Sequence, residues 1–165
     1  MDGDDWNAGA YCDREKAHPR AVSLMVEDFF WNTFADDTPF GSDEGYEGYY
    51  SWREWRSSNP DANLINAVSW ILDDDRQAYL NLAKEDNPQK AFGNSSFIAG
   101  WDLWTLNITI ISTALSQLLD EGTIDDEAKP YVYTATAIER SPHIENPGFM
   151  SAEVLDAIDR VVAAA

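Results

Sequence analysis

Apolar residues fall at helical spacing along most of this chain, and one stretch sets the frame for the rest. In residues 97–119, Phe97, Trp101, Trp104, Ile108, Ile111, Leu115 and Leu118 follow one another at alternating steps of four and three. Such steps keep one stripe on one side of a helix. Leu103, Leu106, Ile110 and Leu119 widen the stripe over much of the circumference. A soluble chain hides so apolar a helix by wrapping others round it. The pattern therefore predicts a buried central helix over about 97–120. Ser95 or Ser96 is its expected N-cap, and Gly122 closes it in the left-handed conformation common past a helix end.

The flanking segments repeat the period. Val22, Met25, Val26, Phe29, Phe30 and Phe34 predict a first helix, opened by His18-Pro19 with the proline in the first turn. Residues 36–45 hold a proline, two glycines and four acids and read as a loop. Ser42 or Asp43 is placed to cap a second helix over about 46–57. Asn59-Pro60 ends that helix, and Asp61 caps a third carrying Leu64, Ile65, Val68, Ile71 and Leu72. Asp73-Asp74-Asp75 opposes the dipole at the end of the third helix and predicts a solvated turn. Residues 77–83 fit either a short helix or a strand, while Asn87-Pro88 and residues 93–96 read as loop. Asp125-Asp126-Glu127 starts a further helix through Val132, Ala135 and Ile138 to Arg140, stopped by Ser141-Pro142. Ser151 caps the last, with Val154, Leu155, Ile158, Val161 and Val162 inward. Residues 1–16 lack a helical period and predict an irregular leader, with 17–165 as one domain. Strand signals are nearly absent. The expectation is an all-α single-domain bundle of five to seven helices.

Charge narrows the partners. Thirty acids against eleven bases give a formal net charge of −19. Such a field repels nucleic-acid phosphates and anionic lipid surfaces and attracts basic proteins. The expectation is a basic protein partner, no nucleic acid and no membrane. Residues 97–119 are long enough to span a bilayer, but they carry Asp102, Asn107 and Gln117 and lack basic flanks, so they read as a buried helix. Met-Asp-Gly-Asp-Asp-Trp is acidic where a secretory signal is basic and then apolar, which points to the cytoplasm. The single Cys12 excludes an internal disulfide and a cysteine-rich zinc site, and reads as a free thiol in a reducing compartment.

The densest group of unusual residues is 36–56, an acidic Gly/Pro loop feeding an aromatic helix. Tyrosine, tryptophan and arginine dominate binding hot spots. Tyr46, Tyr49, Tyr50 and Arg53 fall on one side of that helix, while Trp52 and Trp55 lean to a neighbouring face. A single buried face has no need of five aromatics in ten residues, so some rings should be partly exposed. The expected partner-binding patch is Asp36, Asp37, Asp43 and Glu44 with Tyr46, Tyr49, Tyr50, Trp52 and Trp55. The competing reading packs all five rings on the core. A calcium loop fails on spacing: Gly41 and Glu47 stand where one needs them, but Thr38 and Phe40 replace acids. Glu139 and Glu145 flank His143 in an orienter–base pattern, but no nucleophile in a strained elbow accompanies them. The sequon Asn107-Ile108-Thr109 lies inside the central helix and reads as chance. Phosphate cradles, zinc-protease motifs and hydrolase elbows are absent. No cofactor, metal or catalytic residue is expected.

His18-Pro19, Glu27-Asp28-Phe29-Phe30-Trp31, Pro39-Phe40-Gly41-Ser42-Asp43-Glu44-Gly45 and Trp52-Arg53-Glu54-Trp55-Arg56 together resemble the YfeS-like family of small bacterial proteins. The resemblance spans roughly 17–72, with a looser match along residues 121–125. It implies a bacterial cytosolic protein and brings no catalytic residue. Small acidic proteins of this character are also similar to immunity proteins that protect a cell from a toxin. The leading expectation is an immunity or inhibitor protein that neutralises a basic cognate toxin by direct binding. The first alternative is a metal-dependent hydrolase or metal-binding protein using Asp and Glu ligands, although no helix carries the Glu-x-x-His pair of a di-metal bundle. The second is an acidic regulator or scaffold whose charge serves solubility alone.

Overall fold

The structure, a computed structural model, describes residues 13–94, 101–145 and 150–165. Those residues form eight α-helices and no strand. They are α1 (Pro19–Leu24), α2 (Asp43–Ser58), α3 (Leu64–Ile71), α4 (Arg76–Leu82), α5 (Pro88–Asn94), α6 (Leu103–Glu121), α7 (Lys129–Glu139) and α8 (Ala152–Ala164). Two 3-10 turns, Asp28–Trp31 and Asp126–Ala128, complete the set. The all-α bundle is as expected, with one helix more than the upper bound. No helix among the described residues is long and apolar enough to cross a membrane.

The bundle is built around α6. Every residue from Leu106 to Leu119 is buried, the polar ones included. Three of those polar side chains are satisfied within the helix or just past its end, as burial demands. Ser112 Oγ donates to Thr109 O at 3.2 Å and Ser116 Oγ to Ser112 O at 2.5 Å. Gln117 Oε1 accepts the Asp125 backbone N–H at 2.9 Å. α2 and α7 pack most closely on α6, α8 covers α7, and α3 and α1 close the remaining sides. The crossing of α2 on α6 is tight because Gly48 has no side chain: a Cβ there would meet Ser112 Oγ at 2.0 Å. Gly122 does close α6, with φ of 76° and its N–H on Leu118 O. The α6 N-cap is Asp102, whose carboxylate accepts from Thr105 N at 2.8 Å. The helix therefore starts later than its apolar stripe suggests. Ser95, Ser96 and Phe97 lie outside the described residues, as do Cys12 and most of the leader.

Three local differences have physical causes. The first helix stops at Leu24 instead of running to Phe34. Met25 leaves helical geometry (φ −89°, ψ 70°), and its carbonyl accepts the Trp31 indole N–H at 2.8 Å. Met25 and Phe30 are thereby buried by a bent chain, while Val26 and Phe34 are 64% and 92% exposed. Asn63, not Asp61, caps α3 through Ile65 N, and Asp125 accepts from Leu64 N across the bundle. Residues 76–82 are helical. Pro88 begins a short helix where a loop was expected, consistent with proline in a first helical turn. Asp73 and Asp74 turn the chain with φ of 50° and 63°, and Asp73, Asp74 and Asp75 are all exposed, the expected solvated turn.

Candidate functional site

α2 is set by its own first residues. Ser42 Oγ accepts from Gly45 N at 3.1 Å, and Asp43 and Glu44 occupy the first turn, where the helix dipole favours acids. One side of α2 is core. Tyr49 is fully buried and Trp52 nearly so. Tyr49 Oη donates to Asp120 Oδ1 at 3.3 Å and Trp52 Nε1 to Asp120 Oδ2 at 3.0 Å. Desolvation raises the Asp120 carboxyl above its usual range, against the lowering pull of the Trp52 hydrogen bond and of Arg53. Arg56 stacks over Trp52 and Trp55, 4.8 and 5.3 Å from the ring centres. Its Nη2 donates to Glu121 Oε1 at 2.9 Å, and its Nη1 to the carbonyls of Asn59 and Ala62 at 3.0 and 2.7 Å. Acids, aromatics and arginines here pair with one another, and among the described residues only the buried Arg56 Nε of this cluster is left without a hydrogen-bond acceptor.

The other side of α2 faces a cleft of about 250 Å3. Glu44, Glu47, Ser51 and Trp55 form its α2 wall, and Ala67, Trp70 and Ile71 its α3 wall. Trp101, just before the α6 cap, and the threonines 105, 109 and 113 of α6 complete it, with Gly48 and the edge of Trp52 at the α2–α6 contact. Trp70 is 71% exposed and Trp101 39%. Such exposure of the largest apolar side chain is unusual outside an interaction surface. Among the described residues the lining contains two carboxylates and no Lys, Arg or His. Among the described residues, neither Glu44 nor Glu47 forms a salt bridge. A shallower hollow adjoins the cleft, shares Glu47 and Ser51 with it, and adds Tyr46, Tyr50 and Glu54. The Tyr46 and Tyr50 rings pack 4.6 Å apart, and burial is the largest cause raising the Tyr50 hydroxyl pKa.

The residues expected to form the patch are thus distributed over three environments. Glu44, Trp52 and Trp55 line the cleft, and Tyr46 and Tyr50 line the hollow beside it. Tyr49 lies in the core. Asp36, Asp37 and Asp43 are exposed on the preceding loop and at the first residue of α2, and none lines the cleft. Glu47, Trp70 and Trp101 belong to the cleft without having been singled out as partner contacts. Trp70 carries a signal in hindsight, because it falls opposite the stripe of Leu64, Val68 and Ile71 on α3. A large ring on a solvent face needs a reason.

A second polar cluster lies between α4, α6 and α7. Tyr79 Oη donates to Asn107 Oδ1 at 2.5 Å, and Asn107 Nδ2 donates to Glu139 Oε2 at 2.8 Å. Burial pushes the Glu139 carboxyl up to about 7, in spite of the opposing hydrogen bond from Asn107. Glu139 therefore serves Asn107, while His143 sits on an exposed turn. Among the described residues no group of three or more His, Cys, Asp or Glu is gathered for a metal ion. Fold and site together define a small all-α bundle with an anionic, tryptophan-lined cleft. No family model, curated protein or solved structure matches the chain.

Proposed function

We propose that this chain is a binding module for a basic protein and that its binding inhibits that partner, in the manner of a cytoplasmic immunity protein facing a basic toxin. The observation that carries the reading is a pairing deficit. In a cleft walled by Trp55, Trp70 and Trp101, Glu44 and Glu47 meet no cation among the described residues. The net charge of −19 adds long-range attraction, which raises association rates with a basic partner. Exposed tryptophans supply the short-range part, since each buries a large area at little entropic cost. Inhibition by docking asks for a shaped, charged surface and no bond-making chemistry, which agrees with the absence of hydrolase motifs in the sequence. The resemblance to the YfeS-like family is in keeping with a bacterial cytosolic setting and takes in α2 and α3.

Capture with the tagged chain at low salt, followed by assay of the purified captured protein, tests the reading. The expected result is a basic partner whose own activity falls as the chain is added in stoichiometric amount. Its binding should weaken at least about tenfold when ionic strength rises from about 0.05 to about 0.3 M, because the surface charges are screened. A captured partner that stays fully active when saturated with the chain, or binds with no dependence on salt, overturns it.

A further inference from the structure

The chemistry of the cleft says more than that a partner is basic. We infer that the cleft between α2, α3 and the start of α6 is a pocket for one arginine side chain of that partner; the inference rests on the binding reading above. Size comes first. A cleft of about 250 Å3 falls below the range of about 300–1,000 Å3 in which drug-sized ligands and cofactors bind. It suits a single inserted side chain. Charge comes next. Among the described residues of the lining, Glu44 and Glu47 are the only titratable groups, and they make the pocket anionic.

The walls then choose among cations. Indole faces attract cations through their quadrupole, and a guanidinium adds planar stacking and weak hydration, so it leaves water more readily than an ammonium. The same guanidinium donates a rigid fork of hydrogen bonds to a carboxylate. The molecule uses this combination elsewhere in its own structure. Arg56 lies over Trp52 and Trp55 while donating to Glu121, and Arg14 lies over Trp31, at 5.3 Å, while donating to Asp28. Among the described residues that line the cleft there are tryptophans and carboxylates and no guanidinium. Arg56 does not fill that role: it is outside the lining, and Glu121 and three carbonyls hold it.

The test titrates the full chain with capped tripeptides carrying a central arginine, lysine or citrulline, reading the indole N–H signals of the cleft tryptophans by NMR. Citrulline keeps the shape of arginine and removes the charge. The expected result is saturable movement of the Trp70 and Trp101 signals with arginine, at least about fivefold weaker binding of lysine, and loss of binding with citrulline. Glu44→Gln with Glu47→Gln should weaken the arginine peptide about tenfold or more, and Trp70→Ala should do the same, while Asp86→Asn, exposed and outside the cleft, should leave it unchanged. Equal binding of citrulline and arginine overturns the inference by making the cleft merely apolar. Tighter binding of tetramethylammonium than of the arginine peptide overturns it in favour of a free organic cation. Failure of the arginine peptide with salt-dependent capture of an inhibited partner intact removes this inference alone. Arginine binding alongside a partner that stays active removes the inhibitor reading alone.

Discussion

The two sides of α2 are made from the same kinds of residue and behave oppositely. Toward the end of α6, Tyr49, Trp52 and Arg56 meet Asp120 and Glu121, and each charge or indole N–H has found a partner within the chain. Toward α3, Glu44, Glu47 and Trp55 share a cleft with Trp70 and Trp101, and among the described residues the acids have no basic counterpart there. The lesson is that residue type alone does not mark a binding surface. An acidic aromatic helix is structural where its groups pair internally and available where they do not. Tyr49 and Trp52 strengthen the fold because Asp120 completes them, whereas Trp70 contributes little to the fold because so much of it stays in water.

The contrast is tested first by the other internally paired cluster, where the largest effect is expected. Glu139 has a folded-state pKa of about 7, raised from 4.5. A carboxyl raised on folding binds more protons in the native state than in the unfolded one between those two values. The contribution of Glu139 to stability therefore falls as pH rises from about 4.5 to about 7 and levels off above. The full shift corresponds to at most about 3 kcal/mol, less any relief by solvent at this half-buried site. Chemical denaturation of wild type and Glu139→Gln across pH 5–8 checks it. The variant should lose that part of the slope and gain stability at pH 8, since glutamine still accepts from Asn107 without a charge to desolvate. A variant that is no more stable at pH 8 than the wild type would deny the effect.

The closed side of α2 comes second. Asp120→Ala leaves the Tyr49 hydroxyl and the Trp52 indole N–H without their acceptor, at a cost of about 2 kcal/mol in urea unfolding. The open side is third and smallest. Trp70→Ala should change stability by no more than about 0.5 kcal/mol, as a surface substitution away from core features does. If Trp70→Ala were as costly as Asp120→Ala, the distinction between a closed and an available side would collapse.

Much of this architecture was legible because its signals are local. The stripe of α6, the glycine that ends it, Ser42 before α2, Ser151 before α8 and the acids that open the segment before α7 depend only on residues within a turn or two. Bends imposed by distant packing were not legible. Residues 22–34 have the period of one helix, yet the chain breaks at Met25 so that Trp31 reaches back to its carbonyl and Phe30 enters the core. Nor does the α3 cap follow from sequence neighbours alone, since Asp125, far along the chain, accepts from Leu64. The candidate site divides in the same way. Glu44, Trp52 and Trp55 stood out because one helix presents them together. Trp70 and Trp101 reach the same cleft from two other elements, and no window along the sequence joins them.

Gly48 carries a consequence for anyone reshaping this molecule. The bare Cα that lets α2 press on Ser112 also forms part of the cleft's wall, so the depth of the pocket and the spacing of two core helices are a single variable. A larger residue at 48 would lift α2 away from α6 before it narrowed the cleft. Ala67 and Trp70 on α3 are free of that linkage to Ser112. Redesign of the pocket for a different guest therefore has one adjustable wall and one fixed by the architecture.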